Sequence, residues 1–295
     1  MKYTLTLIGN SATPLTDALI GAASGSLPHS TEPDWLNEGL ACDLHFEADQ
    51  HQPYEVALRS TFEAVKLDFA IQPADARRKL LLVADMDSTI IQQECIDELA
   101  AEFGIKDQIS DITARAMRGE IEFEPALRER VGLLAGLPLS ALESVYQNRI
   151  TETPGGRVLT ATMRAHGATC ALVSGGFTFF TERVAAAVGF DINQANRLIF
   201  ADGKLTGDVG EPILGRQAKI DALVALRDQH KLPKHATLAV GDGANDLGMI
   251  EEAGLGVALH AKPVVAEAAD ARIDHGDLTA LLYLQGYKSS QFVGG

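Results

Sequence analysis

The sequence predicts an α/β protein: a doubly wound, largely parallel sheet with an inserted helical cap, preceded by a small α+β unit of ferredoxin or ACT type. Three observations predict it. Short, continuously apolar runs at 79–84, 169–173 and 236–240 have the length of strands buried on both faces. Each stops abruptly at polar residues (Asp85, then Ser174-Gly175-Gly176, then Gly241-Asp242-Gly243), and each is followed by a helix-compatible stretch. Between the first two runs the chain is far longer than a simple crossover requires and reads as several helices.

In chain order, 3–8, 40–46 and 67–71 read as strands, and 15–23 and 54–65 as helices, which together make a unit over 1–75 that looks separate. The sheet core is expected over 76–92 and 162–295, with the helical cap over 93–161. Within the cap, helices at 98–103, 107–118 and 124–134 are each closed by a glycine, at 104, 119 and 136. Residues 197–201 and 204–206 flank Asp202-Gly203, a pair suited to the tight turn of a hairpin.

A chain of 295 residues has room for two or three globular units, and an apolar fraction of 46% fits a soluble fold. A formal net charge of −15 repels nucleic acid and anionic membrane surfaces, so neither is an expected partner. No window approaches the ~18 to 20 apolar residues of a membrane span, and 1–9 is too short and polar for a secretory signal, which makes the cytoplasm the expected compartment. Cys42, Cys95 and Cys170 lie far apart and form no C-x-x-C pair; they are expected reduced. The eight histidines show no metal-ligand spacing, and His260 and His275 are expected at the surface.

Chemistry concentrates where the strands end. Asp85 and Asp87, two residues apart in a tight turn, can address opposite sides of one small ligand; the plain alternative is a polar loop. Ser174, Gly175 and Gly176, opening a helix from Phe177, form an anion cradle of hydroxyl and main-chain N–H groups. Asp242 and Asp246 add two more carboxylates. Four carboxylates alone would expel an anion, so a cation is required at the same place, although a lone helix lysine such as Lys219, like its neighbour Arg216, by itself reads as solvated surface. Asp246 is also suited to cap the helix that follows it.

Asp85-x-Asp87-x-Thr89 after an apolar strand resembles the first motif of haloacid dehalogenase-like phosphatases. More narrowly, 85–100, D-M-D-S-T-I-I-Q-Q-E-C-I-D-E-L-A, is similar to the phosphoserine phosphatase family. The resemblance runs from about Lys79 to Lys288 and leaves out the N-terminal unit. It implies that Asp85 attacks phosphorus to give an aspartyl-phosphate. Asp87 then serves as acid toward the departing seryl oxygen and as base toward water. It also implies Mg²⁺ bound by Asp85, Asp242 and the Asp87 backbone carbonyl, with Asp246 holding a metal-bound water. Ser174, Gly175, Lys219 and Asn245 are implied around the phosphate.

For the rest of O-phosphoserine the resemblance implies Glu94 at the ammonium, Arg130 at the carboxylate, and Met117 and Phe123 closing over the ligand. Each has a plainer reading, as exposed charge or cap core. Cys95 stands where a small or polar residue is expected, and a thiol is small enough to fit. The implied reaction yields serine and phosphate, the last step of serine biosynthesis. Two alternatives stay open: a related phosphotransferase using an alcohol such as homoserine, and an amino-acid-binding regulator with a vestigial phosphatase half. The sequence leaves open whether the N-terminal unit senses serine, holds a homodimer together or shields the core.

Overall fold

The computed structural model describes residues 1–117 and 120–294. The chain opens with β1 (Lys2–Ile8), α1 (Asp17–Gly25), β2 (Asp34–Asn37), β3 (Ala41–Glu47), α2 (Gln52–Thr61) and β4 (Asp68–Pro73). These four strands are antiparallel in the order β2-β3-β1-β4, the strand order of a β-α-β-β-α-β unit. Period-two alternation along β1 serves two cores at once. Tyr3, Leu5 and Leu7 pack with Ile20 and Leu58 of the covering helices, whereas Ile8 joins the main core of the chain. The sequence reading contains no strand at β2, because Asp34-Trp35-Leu36-Asn37 is short, half polar and paired on one side only.

The remainder runs β5 (Leu81–Ala84), α3 (Cys95–Glu102), α4 (Lys106–Met117), α5 (Phe123–Gly132), α6 (Leu139–Arg149), α7 (Gly156–Ala165), β6 (Thr169–Phe177) and α8 (Thr178–Val188). It continues through β7 (Ile192–Ala201), β8 (Lys204–Gly210), α9 (Arg216–Gln229), β9 (Thr237–Gly241), α10 (Leu247–Glu252), β10 (Leu255–Leu259), α11 (Pro263–Ala268), β11 (Ala271–Ile273) and α12 (Ala280–Leu284). β5 is central, parallel to β9 on one side and β6 on the other, with Ala84 level with both Val240 and Leu172. That register delivers Asp85, Ser174 and Asp242 to one edge, where an open α/β sheet presents its ligand site. All four residues of β5 are buried, which accounts for its unbroken apolar run.

The N-terminal strands are not a separate layer. β4 pairs antiparallel with β11 through Phe69 and Arg272, so one sheet of eleven strands runs through the molecule. Side chains fasten the join. Asp68, 3% exposed, accepts the backbone N–H groups of Asp274, His275 and Gly276. Arg77 reaches both sides: it donates to Asp43 Oδ2 at 2.6 Å and Thr6 Oγ1 at 2.9 Å, and to the carbonyls of Tyr283 and Leu284. Residues 1–75 keep a core cluster of their own, and a continued ladder and a shared buried ion pair join them to the rest of the chain.

The expected cap boundary at 161 falls inside helix α7. Leu159 and Met163 of α7 join the main core cluster, and Gly156 lies against Leu278 and Val188. α6 completes the cap, burying Ala141, Leu142 and Val145. Gly104 and Gly136 adopt the left-handed backbone that stops a helix, while the expected stop at Gly119 lies outside the described residues. The β7–β8 hairpin turns at Asp202 and Gly203, both with positive φ. Its backbone pins the cap from below: Gly136 N–H donates to Leu205 O, and Leu205 N–H to Leu137 O. Among the described residues no helix is long and apolar enough to cross a membrane.

Candidate active site

Asp85 follows the last residue of β5 and anchors the turn that follows by accepting from Met86 N–H at 2.8 Å. Ser88 takes a left-handed conformation (φ 56°), which folds 86–90 into a tight loop and separates the two aspartates. Lys219, on α9 and 2% exposed, places Nζ 2.6 Å from Oδ1 of Asp85 and 2.6 Å from Oδ1 of Asp246. Arg216, the rival cation, is exposed at the start of the same helix. Burial alone would lower the proton affinity of Lys219, but the two carboxylates outweigh it and hold the ammonium charged. Burial in turn pushes the Asp85 carboxyl up, and Lys219 opposes that push. An ionised Asp85 in this pocket therefore depends on its cation.

Asp87 is fixed differently. Its Oδ1 accepts Cys95 N–H at 3.0 Å, the first residue of α3, and its Oδ2 lies 3.4 Å from Ser174 Oγ. Burial, followed by repulsion from Glu94, raises its pKa to about 7. The two neighbouring aspartates thus have unlike environments, the condition for dividing acid–base and nucleophilic work. Cys95, which the sequence left neutral, contributes through its main chain.

Asp246 is fully buried and bonds backward. Its Oδ2 accepts the N–H groups of Asp242 and Gly243, and Gly241 leaves room for it: a Cβ there would stand 2.5 Å from the Asp246 carboxyl. It occupies the position before α10 but makes no side-chain cap hydrogen bond, contrary to the capping reading, because both oxygens are engaged elsewhere. Asp242 accepts from Thr89 Oγ1 at 3.3 Å, and burial with repulsion from Asp246 lifts its pKa to about 6. Carboxylate oxygens of Asp85, Asp242 and Asp246 lie within 4.8 Å of one another. An all-oxygen set of this kind suits a hard divalent cation such as Mg²⁺. The Asp87 carboxylate is outside the cluster and engaged with Cys95 and Ser174.

The Ser-Gly-Gly segment differs in one respect from expectation. β6 continues through Phe177 and α8 begins at Thr178, so the segment is strand rather than the opening of a helix. Gly176 N–H is donated to Ser174 Oγ at 2.9 Å, which commits it within the loop. A Cβ at Gly176 would come 2.8 Å from Asp87 Oδ2.

On the cap side, Glu94 accepts from Ser88 Oγ at 2.7 Å, which brings it beside the 86–90 loop. Arg130 is half-buried on α5, donating Nε to Ala126 O; burial lowers its proton affinity while Asp97 and Glu94 oppose that. The ring of Phe123 lies against Gly175 and Gly215. Asn245 is exposed, with Nδ2 3.4 Å from Asp246 Oδ1. Met117 ends α4, and its side chain lies outside the described residues. His275 N–H is taken by Asp68, and His260 is exposed. The sequence reading did not single out Lys262, whose charge acts on Asp242, or the buried Asn196.

A family model described as haloacid dehalogenase-like hydrolase matches residues 82–251, more than half of the chain. The chain belongs to the haloacid dehalogenase-like hydrolases. A phosphoserine phosphatase of Streptomyces coelicolor is 43% identical over 237 residues, 80% of this chain and 58% of the relative. The chain thus spans less than two thirds of that protein's length. Among solved structures, a haloacid dehalogenase family hydrolase of Salmonella enterica superimposes with a TM-score of 0.87 at 31% identity, over 96% of this chain and 98% of the other. A probable phosphoserine phosphatase of Vibrio cholerae gives 0.78 at 32% identity, over 98% and 88%. Both likenesses extend through the N-terminal strands as well as the family's core.

Proposed function

We propose that this hydrolase is a phosphoserine phosphatase, converting O-phosphoserine to serine and phosphate through an aspartyl-phosphate on Asp85. The observation that carries the reading is the unlike pair: Asp85 held by a buried ammonium at 2.6 Å, and Asp87, with a pKa of about 7, held by Cys95 N–H. Asp85 Oδ bonds to phosphorus as the phosphorus–seryl oxygen bond breaks, and Asp87 gives that oxygen its proton. Asp87, now ionised, takes a proton from water as the water oxygen attacks phosphorus. The Asp85–phosphorus bond breaks and phosphate leaves. Lys219 Nζ and Ser174 Oγ are the donors for the phosphoryl oxygens. Asp85, Asp242 and Asp246, with the Asp87 carbonyl, would hold Mg²⁺, which when bound withdraws charge from those oxygens.

Glu94 is assigned to the substrate ammonium and Arg130 to its carboxylate, with Met117, Phe123 and Asn245 around them. The cytoplasm is the proposed compartment, and the acidic composition disfavours nucleic acid and anionic membranes as partners. Phosphate release from a panel of small phosphate esters tests the reading. O-phosphoserine should be the preferred ester, with activity abolished by chelator and by Asp85→Asn. Turnover by Asp85→Asn at the parental rate would sink the covalent route, and indifference among esters would sink the substrate.

A further inference from the structure

Asn196, on β7, is 1% exposed and its amide is fully engaged. Nδ2 donates to Gly175 O at 2.9 Å and to Leu214 O at 3.1 Å, while Oδ1 accepts Leu214 N–H at 2.7 Å. A single side chain therefore joins the end of β6, which carries Ser174, to the segment that opens α9, which carries Lys219. An asparagine is disfavoured in a strand interior, so its presence there calls for a reason beyond strand formation.

The same two segments form a slot. It is open to solvent: Gly175 and Gly215 line it against the ring of Phe123, which stays 37% exposed. A Cβ at Gly175 would meet Phe123 Cζ at 3.4 Å, and one at Gly215 would meet Cδ1 at 3.2 Å. Phe123 belongs to α5 of the cap, whereas both walls belong to the core. Arg128 of the same helix is ion-paired with Glu211, so the contact is flanked by a second tie to the Gly215 segment.

We propose that Asn196 is a positioning residue: by joining Gly175 to Leu214 it sets the width of the slot that seats Phe123, and so how the cap closes on the substrate. This rests on the phosphatase reading only in taking Phe123 as a residue that closes over the ligand. Asn196 touches no reacting atom. Its effect passes through two carbonyls and one N–H, which an aspartate of the same shape cannot all satisfy: two donated bonds become oxygen–oxygen repulsions.

The test uses the full chain with Asn196→Asp. Hydrogen exchange should quicken in 120–127 while 81–84, the central strand, stays protected. KM for O-phosphoserine should rise about tenfold with kcat within about twofold, the pattern of lost binding rather than lost chemistry. In a Phe123→Ala background, the same substitution should add nothing further to KM, because the slot is already empty. Unchanged exchange at 120–127, additive effects in the double variant, or loss of protection in 81–84 at the same rate would each overturn the proposal. Should Asn196→Asp not fold, Gly215→Ala narrows the slot without touching the Asn196 amide and carries the same expectations. A wild-type chain inactive on O-phosphoserine would fail the functional reading alone, since the exchange measurement decides the slot independently.

Discussion

Lys219 Nζ lies 2.6 Å from Asp85 Oδ1, and the same ammonium bridges to Asp246 at equal distance. All three groups are buried, so the lysine neutralises carboxylates that are largely stripped of bulk solvent. Deleting one partner of such a cluster leaves uncompensated charge in a low dielectric.

Lys219→Met should therefore lower the unfolding free energy by about 3 to 5 kcal/mol in urea denaturation. Adding Asp85→Asn to that variant should restore part of the loss, since one unpaired carboxylate is removed. Strictly additive losses in the double variant would show that the pair is not coupled.

The elevated Asp87 predicts a pH profile. As the acid that protonates the leaving oxygen it must carry its proton, so the rate of that step should fall as pH rises through about 7. Burial is the main cause and Glu94 the second, so Glu94→Gln removes a repulsion that favours the protonated form. The alkaline limb of the single-turnover profile should move to lower pH in that variant. A limb that stays in place, or moves upward, would exclude Glu94 as a contributor.

Arg130 is half-buried with no more than its Nε donated to the helix carbonyl of Ala126 among its described hydrogen bonds. If it grips the substrate carboxylate, Arg130→Ala should cost about 2 to 5 kcal/mol in kcat/KM for O-phosphoserine. The loss should shrink for an otherwise similar phosphate ester lacking the carboxylate. Equal losses on both esters would assign Arg130 to cap structure instead.

Arg77 and Asp43 make a buried pair across the join between the N-terminal strands and the core, with side chains 11% and 3% exposed. Arg77→Met strands the Asp43 carboxylate and should destabilise the chain by about 3 to 5 kcal/mol. Wild-type unfolding should be a single transition by fluorescence of Trp35 and by far-ultraviolet circular dichroism. In the variant the Trp35 signal should melt first, because that residue sits in β2.

Sequence made the central strands legible because burial on both faces leaves an unbroken apolar run, as in Leu81–Ala84. The carboxylates at the strand ends were legible for the complementary reason: charge following a buried strand needs a purpose. What the reading lacked was tertiary. Nothing in Asp246 reveals that its Oδ2 turns back to Asp242 and Gly243, with Oδ1 on Lys219, instead of capping α10. The ladder between β4 and β11 is one residue pair far apart in sequence, which leaves no local pattern. Asn196 did leave a trace, as a polar, strand-averse residue just before the hairpin run, but its three partners lie on two other segments.

The pairing of Phe69 with Arg272 also has a consequence for how the chain is made. The ribosome delivers β11 about 200 residues after its neighbour β4, an interval of roughly 10 to 40 s at ordinary elongation rates. Throughout that interval the nascent N-terminal strands have a bare flank with no native neighbour to dock on. Chaperone dependence should fall in that window, and release from it should coincide with emergence of β11.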